Sequence, residues 1–202
     1  ARELGAFLHP EDRVCDAGCG LGLLSRALLP YCGHVTAIDR SPAAIADLTA
    51  RSHDPRLTAL TGDIRDLPPQ RPYDAMVFCL FGKMPEILPI AKRCCAGRIV
   101  VIKKAFTHHR FSMSRVPLRD EVTDRAADFL RERGVRFSLE TREFEMGQPL
   151  RSLRDAVRFF EIYSKDAPGT LTREAVRARL TETGDTQFPY YLPQKKALGR
   201  FT

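Results

Sequence analysis

Between residue 13 and about residue 105, short apolar runs alternate with stretches whose apolar residues recur at helical spacing. Some of these runs are continuous, for example Val100, Val101 and Ile102. Continuous apolar runs are typical of strands that are covered on both faces, and strands of that kind occur mainly in parallel sheets with helices on each side. The alternation therefore predicts a doubly wound α/β fold.

The predicted elements follow one another in regular order along this first part of the chain. Strands are predicted at 13–18, 34–40, 57–63, 73–81 and 97–106, with helices at 21–30, 42–52 and 85–95. Beyond residue 106 the pattern predicts helices at 119–133, 151–164 and 172–183, and strands at 136–146 and 196–202. Ser41 and Pro42 are a suitable N-cap and first-turn proline for the second helix.

A long segment, residues 147–191, separates the last two predicted strands, although neighbouring strands usually need only a short connection. Long loops near the carboxyl ends of strands often carry specificity. We therefore expect a helical insertion over 147–191 that forms a lid over the ligand site at those strand ends. The alternative is that its two helices only cover an edge of the sheet. A chain of 202 residues can bury a self-sufficient core, so one domain over 1–202 is expected.

The charge balance limits the classes of partner. The formal net charge is +7, but Lys and Arg are interspersed with Asp and Glu in the predicted helices, as on solvated helix faces. A nucleic-acid partner is thus possible but is not indicated by charge clustering. No apolar run has the length of a membrane helix and no signal peptide is recognisable, so no membrane partner and a cytoplasmic location are expected.

The cysteines do not have the spacing of a metal site. No paired CxxC motif occurs, and three of the six lie in segments predicted as strand or strand end. Buried free thiols are the preferred interpretation, with zinc or disulfides as the alternative, so no metal is expected. The six are Cys15, Cys19, Cys32, Cys79, Cys94 and Cys95.

A glycine-rich turn lies directly between the first predicted strand and the first predicted helix. The segment VCDAGCGLG places Gly18, Gly20 and Gly22 there, with Asp16 two residues before the first glycine. Glycine allows a tight bend and a close approach of backbone to a ligand, and the helix N-terminus beyond offers unpaired N–H groups. The turn predicts a nucleotide-like ligand; a purely structural turn is the alternative.

Carboxylates end the next two predicted strands. Asp39 closes the second strand, where a carboxylate in this fold can accept hydrogen bonds from both ribose hydroxyls. Asp63 ends the third strand and can accept from an adenine amino group. A helix cap for Asp39 and a plain turn residue for Asp63 remain the alternatives.

Together these motifs resemble the class I S-adenosylmethionine-dependent methyltransferase family over nearly the whole chain. The resemblance is carried by DAGCGLG, by the aspartate of AIDR, and by GDI, YDAMVFCLF and GRIVVIK. It implies a Rossmann-like, doubly wound, seven-stranded sheet of order 3-2-1-4-5-7-6 with strand 7 antiparallel. It also implies that S-adenosylmethionine binds over the ends of the first strands, and that 1–202 is a single methyltransferase domain.

The resemblance further implies roles for individual residues. The glycine turn would contact the methionine half of the cofactor, the end of the second strand the ribose, and the end of the third strand the adenine. At the end of the fourth strand, backbone carbonyls would meet the cofactor amino group. The cofactor-binding residues implied in this way are Asp16, Gly18, Cys19, Gly20, Gly22, Asp39, Arg40, Asp63, Ile64, Cys79 and Leu80.

The main rival is a nicotinamide- or flavin-dependent dehydrogenase, which shares the fold and the ribose carboxylate. Its fingerprint needs a third small residue in the turn, GxGxxG or GxGxxA, and Leu23 stands at that position. The spacing therefore favours methyl transfer. An interaction domain without catalysis on the same scaffold is a further alternative, because fold does not decide function.

The methyl acceptor is predicted mainly by exclusion. After the fourth strand the chain reads CLFGKM and lacks the NPPY or DPPY type of tetrapeptide typical of amino-methyltransferases. A small-molecule acceptor is expected, with RNA or protein as the alternatives. His108 and Tyr163 are candidate catalytic residues, and an exposed loop histidine and an aromatic packing residue are the corresponding alternatives. Further candidates near the acceptor are His109, Tyr190 and Tyr191.

Overall fold

The computed structural model describes residues 1–67, 69–113, 116–164 and 171–202. Residues 165–170, which belong to the predicted insertion 147–191, lie outside the described residues. The strands are β1 (Arg13–Ala17), β2 (His34–Asp39), β3 (Leu57–Thr61), β4 (Tyr73–Cys79), β5 (Cys95–Lys104), β6 (Leu139–Glu145), β7 (Gln148–Leu150), β8 (Thr181–Glu182), β9 (Tyr190–Leu192) and β10 (Lys195–Phe201). The helices are α1 (Arg2–Gly5), α2 (Leu23–Leu28), α3 (Pro42–Arg51), α4 (Met84–Cys94), α5 (Thr123–Glu132), α6 (Leu153–Tyr163) and α7 (Arg173–Arg177).

Seven strands form one sheet in the order β3-β2-β1-β4-β5-β10-β6, with β10 antiparallel. This is the order 3-2-1-4-5-7-6 that the resemblance implies, and the fold prediction is confirmed. The strands β1 to β5 pair in parallel, with Val14 opposite Val35 on β2 and opposite Ala75 on β4. Their carboxyl ends consequently meet at one edge of the sheet, where ligands bind in open α/β sheets.

The continuous apolar runs fill the two faces of the sheet. Along β4, Met76 and Phe78 belong to one core cluster, whereas Ala75 and Val77 belong to another. This alternation follows from the two-residue period of a strand, and all four side chains are fully buried. Fully burying each large apolar side chain contributes about 1.5–3 kcal/mol to folding. The β4 strand therefore anchors helices on both faces, as the sequence pattern predicts.

The chain forms two compact units. The first comprises residues 1–103, 125–140 and 200–202, and the second comprises residues 104–124 and 141–199. In the second unit, β7, β9 and β8 form a separate antiparallel sheet of three strands. Its buried core consists of Phe111, Leu150, Ala156, Phe160, Val176 and Leu192. The single domain over 1–202 and the lid at 147–191 stay predictions.

The prediction of a helix over 172–183 is wrong in its second half. Helix α7 ends at Arg177, and Thr181–Glu182 instead form β8, which pairs with Tyr190 and Tyr191. Thr181 is β-branched and therefore suits a strand better than a helix end. The helix predicted from residue 119 begins only at Thr123. In the described ranges, no helix is long and apolar enough to cross a membrane.

Candidate functional site

A cavity of about 360 Å³ lies in the first unit at the carboxyl ends of β2, β3 and β4 and the turn that follows β1. This volume falls within the range of roughly 300–1,000 Å³ that is typical of ligand and cofactor pockets. Each of the four strand ends contributes at least one predicted site residue. The lining residues are Gly18, Ile38, Asp39, Arg40, Gly62, Asp63, Ile64, Arg65, Leu80, Phe81, Gly82, Glu86 and Ile90.

The glycine turn is hydrogen-bonded to the end of β2 and packs against the aromatic ring of Phe81. The backbone N–H groups of Gly18 and Cys19 both donate to the carbonyl of Ile38, at 2.8 and 3.0 Å. Gly18 has φ +74°, and a Cβ atom there would lie 2.3 Å from Cδ2 of Phe81. Only glycine meets both conditions, because the conformation is left-handed and the ring leaves no room. The ring of Phe81 thus packs directly on the turn.

The carboxylate of Asp39 joins the turn to the start of α3. Its Oδ2 accepts the backbone N–H of Gly20 at 2.8 Å, and its Oδ1 accepts the N–H of Ser41 at 2.9 Å. Ser41 itself caps α3, since its hydroxyl accepts the N–H of Ala44 at 3.3 Å. Each carboxylate oxygen has a further lone pair beyond these bonds. Asp39 can therefore accept hydrogen bonds from two ligand hydroxyl groups while it keeps its bonds to Gly20 and Ser41.

Asp63 is held as an ionised acceptor by a neighbouring arginine. The guanidinium of Arg65 contacts both carboxylate oxygens, at 2.9 and 2.6 Å, and the Arg65 backbone N–H adds a third bond at 2.9 Å. Arg40 lies 3.8 Å from the same carboxylate. The hydrogen bonds from Arg65 hold the pKa of the Asp63 carboxyl well below its ordinary value. The end of β3 consequently offers a negative charge to the cavity at every physiological pH.

The loop that follows β4 contains two residues in the left-handed conformation, and one of them, Leu80, is not a glycine. Leu80 has φ +56° and Gly82 has φ +47°, so two left-handed positions lie within three residues. Leu80 donates its N–H to the carbonyl of Ile102 on the neighbouring strand at 3.0 Å. The side chain of Glu86 then accepts the N–H of Lys83 at 2.9 Å at the start of α4. The loop thereby places Leu80, Phe81 and Gly82 along the cavity wall.

Five of the residues that the resemblance assigns to the cofactor do not line this cavity. They are Asp16, Cys19, Gly20, Gly22 and Cys79. Asp16 is 1% exposed, and its carboxylate accepts the hydroxyl of Ser25 at 2.6 Å. Burial raises the pKa of Asp16 to about 6, although the hydrogen bonds from Ser25 oppose this shift. Asp16 therefore connects β1 to α2 through Ser25, next to the glycine turn, and does not line the cavity.

The thiols near the site are not poised as nucleophiles. Burial raises the pKa of Cys19 to about 12 and that of Cys79 to about 11. The nearby carboxylate of Asp16 acts in the same direction on both thiols. All six cysteines are free. Among the described residues, no three His, Cys, Asp or Glu side chains are grouped as metal ligands would be.

Both candidate catalytic residues belong to the second unit, whereas all the cavity-lining residues belong to the first. Nδ1 of His108 lies 2.8 Å from the hydroxyl of Thr107. The ring of Tyr163 packs against Phe159, with 4.9 Å between ring centroids, and remains 37% exposed. The hydroxyl of Tyr191 donates to Glu145 at 2.8 Å. The catalytic roles of His108 and Tyr163 stay predictions.

Seven of the lining residues are not among those that the sequence predicts. Gly62, Arg65 and Phe81 immediately adjoin predicted site residues and Gly82 is two residues from one, so a wider window around each strand end would have included all four. Glu86 and Ile90 stand four residues apart on α4 and share one helix face, a spacing visible in the sequence. Ile38 is the buried neighbour of Asp39.

Residues 14–97 match the family described as methyltransferase domain. Ribosomal RNA small subunit methyltransferase A of Thermobifida fusca is 40% identical over 76 residues, covering 33% of this chain and 26% of that protein. Ubiquinone biosynthesis O-methyltransferase of Xanthomonas campestris is 31% identical over 114 residues, covering 54% of this chain and 46% of that protein. The aligned part of the chain thus spans less than half the length of these curated relatives.

Solved structures share the same fold. The crystal structure of the YcgJ protein from Bacillus subtilis superposes with a TM-score of 0.61 at 11% sequence identity, and the match covers 100% of this chain and 97% of that chain. At this identity the likeness shows the fold alone. The match to the methyltransferase-domain family runs from β1 to the start of β5, and the order of the seven strands is the one that the resemblance to class I S-adenosylmethionine-dependent methyltransferases implies.

Proposed function

We propose that this protein binds S-adenosylmethionine in the cavity of the first unit and transfers its methyl group to an acceptor molecule. The observation that carries the proposal is the meeting of four strand ends at one cavity. Gly18, Asp39, Asp63 and Leu80 contribute one wall each. Under this proposal the glycine turn holds the methionine half, Asp39 the ribose and Asp63 the adenine, in the order in which these parts follow one another in the cofactor.

The residues present fit this cofactor. The ribose hydroxyls can donate to the remaining lone pairs of Asp39, whose bonds to Gly20 and Ser41 fix its orientation. The adenine amino group can donate to Asp63, which Arg65 keeps ionised. The backbone at Gly18 can approach the methionine half closely because no side chain projects from it. When bound, the cofactor supplies an electrophilic methyl group on its sulfonium.

The chain's own residues contribute mainly binding and exclusion of water. Ile38, Ile64 and Ile90 supply apolar surface to the cavity wall. The carboxylates in the wall already accept hydrogen bonds from the protein, as described for Asp39, Asp63 and Glu86. We therefore infer that positioning of the acceptor in line with the methyl group provides most of the catalysis. His108 and Tyr163 remain the proposed sources of a base if the acceptor must lose a proton.

We propose a small molecule as the acceptor. The support is the segment CLFGKM after β4, which lacks the tetrapeptide typical of amino-methyltransferases of bases and glutamine. The two curated relatives described above differ in what they are named for, one for ribosomal RNA and the other for O-methyl transfer in ubiquinone biosynthesis. RNA or protein is thus the alternative acceptor. A cytoplasmic location stays part of the proposal.

A labelling experiment tests the transfer and the acceptor class together. The protein is incubated with S-adenosylmethionine labelled in the methyl group and with separate cell fractions of small molecules, total RNA and protein. We expect label to enter the small-molecule fraction, and to do so much more slowly with Asp39→Ala. Label in the RNA or protein fraction would contradict the small-molecule acceptor but would still support methyl transfer. No transfer to any fraction by a protein that binds the cofactor would contradict catalysis.

A further inference from the structure

A buried lysine contacts the loop that follows β4. Lys103, near the end of β5, is 2% exposed. Its amine donates to two consecutive carbonyls, at 3.1 Å to that of Phe81 and at 2.6 Å to that of Gly82. Both acceptors belong to residues that line the cavity. The lysine therefore connects the neighbouring strand to the cavity wall from behind.

The loop needs such a connection because its conformation is intrinsically unfavourable. Leu80 occupies the left-handed region at φ +56°, which a residue with a Cβ atom adopts only when its surroundings impose it. Its own N–H is bonded to Ile102, the residue before Lys103. Two adjacent residues of β5 thus hold the start and the end of the same turn.

The segment 80–82 includes Phe81, whose ring packs on the glycine turn after β1. The Phe81 ring lies against Gly18 and at 5.8 Å, between centroids, from the ring of Phe78. A rotation of the Phe81 peptide unit would move the ring away from Gly18. The hydrogen bonds from Lys103 oppose that rotation because they fix the orientation of two consecutive backbone carbonyls, those of Phe81 and Gly82.

Burying a lysine has a high cost unless its amine is well hydrogen-bonded. A methionine would fill nearly the same volume without that cost, so packing alone does not explain a lysine at this position. The two carbonyl acceptors do explain it, since backbone carbonyls in a turn have no helix or sheet partner of their own. The hydrogen bonds from the Lys103 amine to the carbonyls of Phe81 and Gly82 therefore indicate that this lysine holds the turn.

We propose that Lys103 is a positioning residue: it keeps the turn 80–82 in the shape in which the end of β4 receives the amino-acid half of the cofactor. This inference rests on the proposed function, together with the contact between the strand-4 end and the cofactor amino group that the family resemblance implies. It predicts a loss confined to ligands that have the amino-acid half. It also predicts a local change in the ligand-free protein, which does not depend on the cofactor at all.

Hydrogen exchange on the ligand-free protein tests the local part. In Lys103→Met, amides in a peptide covering residues 79–84 should exchange at least about tenfold faster than in the wild type, while peptides from β1 and β2 stay unchanged. The matched control is Lys104→Met, the next residue, whose ammonium pairs with Asp120. The control should leave the 79–84 peptide unchanged. Equal exchange of that peptide in Lys103→Met and wild type would overturn the proposal.

Ligand titration tests the functional part. S-adenosylhomocysteine contains the amino-acid half, whereas 5′-methylthioadenosine has the same nucleoside and sulfur without it. Lys103→Met should weaken S-adenosylhomocysteine about tenfold, as expected from losing a directional hydrogen-bond donor, and should change methylthioadenosine by less than about twofold. Equal losses for both ligands would indicate a general structural defect and would overturn the proposal, as would no loss for either.

Three further comparisons distinguish the possible outcomes. Lys103→Arg retains donors on a long side chain and should restore both slow exchange and most of the S-adenosylhomocysteine affinity. If Lys103→Met does not fold, the double variant with Leu80→Gly, which relieves the strain at residue 80, is compared with Leu80→Gly alone. The 79–84 peptide should still exchange faster in the double variant, because the carbonyls of Phe81 and Gly82 lose their donor whatever residue stands at position 80, and equal exchange contradicts the proposal. If the wild type binds neither ligand, the proposed function fails, while the exchange result still decides whether Lys103 holds the turn.

Discussion

The backbone N–H of Gly20 donates a 2.8 Å hydrogen bond to Oδ2 of Asp39, and this bond links the turn after β1 to the end of β2. The carboxylate proposed to hold the ribose is therefore also a structural part of the glycine turn. Its two oxygens have different protein partners, because Oδ1 accepts from Ser41. A change at Asp39 should consequently affect the ligand and the turn together.

Replacing Asp39 by alanine should weaken S-adenosylmethionine binding by about 1–3 kcal/mol, because two hydroxyl groups lose a charged acceptor. The fold should persist, since Ser41 and not Asp39 caps α3. Isothermal titration and thermal unfolding of the same preparation measure the two effects. Asp47→Ala, which removes an exposed partner of Arg51 on α3, is the control and should leave affinity unchanged. Unfolding of Asp39→Ala without weaker binding in its folded fraction would contradict the assignment.

The two glycines of the turn should differ in their tolerance of alanine. Both have positive φ, +74° for Gly18 and +54° for Gly20, so the backbone strain is similar at roughly 1 kcal/mol. At Gly18 a Cβ atom would lie 2.3 Å from the Phe81 ring, whereas at Gly20 it would meet nothing within 4 Å. Gly18→Ala should therefore lower both the melting temperature and cofactor affinity more than Gly20→Ala. Equal effects in calorimetry and titration would show that Phe81 does not pack on the turn.

The buried carboxyl of Asp16 should make stability depend on pH. Its pKa is raised from 3.8 to about 6, so the folded chain holds this proton more tightly than the unfolded chain does. The contribution of Asp16 to stability is thus greatest below about pH 4 and is lost as pH rises through about 6, a change on the order of 3 kcal/mol. Asp16→Asn keeps an acceptor for Ser25 and removes the titration.

Chemical denaturation between pH 4 and pH 7.5 checks this prediction. The free energy of unfolding of Asp16→Asn, relative to the wild type, should increase steadily as pH rises from about 4 to about 6.5 and then level off. A constant difference between the two proteins, or a difference that changes in the opposite direction, would mean that Asp16 is ionised in the folded protein under all these conditions.

Two aromatic residues of α6 distinguish a lid from structural cover. Phe160 is fully buried in the core of the second unit, so Phe160→Ala should cost about 3–5 kcal/mol of stability. Tyr163 is exposed enough to meet an acceptor. If residues 147–191 are a lid, Tyr163→Ala should slow methyl transfer while cofactor affinity stays constant. Unchanged turnover per folded Tyr163→Ala molecule, measured with the labelled donor, would favour structural cover.

Much of the first unit was predictable because its signals are local. The apolar runs around Val77 and Val100, the glycines of the turn and the cap at Ser41 each act within a few residues, and together they predict the strand order through a family resemblance. The aspartates at the ends of β2 and β3 were predictable for the same reason, since the fold brings strand ends to one edge.

The remaining features depend on contacts that spacing does not encode. Strands β8 and β9 have two and three residues, too few for an alternating pattern, so the local spacing predicts a helix at Thr181 where the structure has a strand. The packing of Phe81 on Gly18 and the bonds from Lys103 to the turn join residues far apart in sequence. Likewise, the burial of Asp16 beneath the turn is visible only once Ser25 is placed beside it.

The most direct test of the central claim is a calorimetric titration of the protein with S-adenosylmethionine, S-adenosylhomocysteine and NAD. We expect dissociation constants of about 10 µM or lower for the first two, which correspond to a binding free energy of about −7 kcal/mol or more favourable. We expect no measurable NAD binding, because Leu23, 72% exposed at the start of α2, stands where a pyrophosphate turn needs a small residue. NAD binding of comparable strength, or no binding of either sulfur compound, would contradict the account.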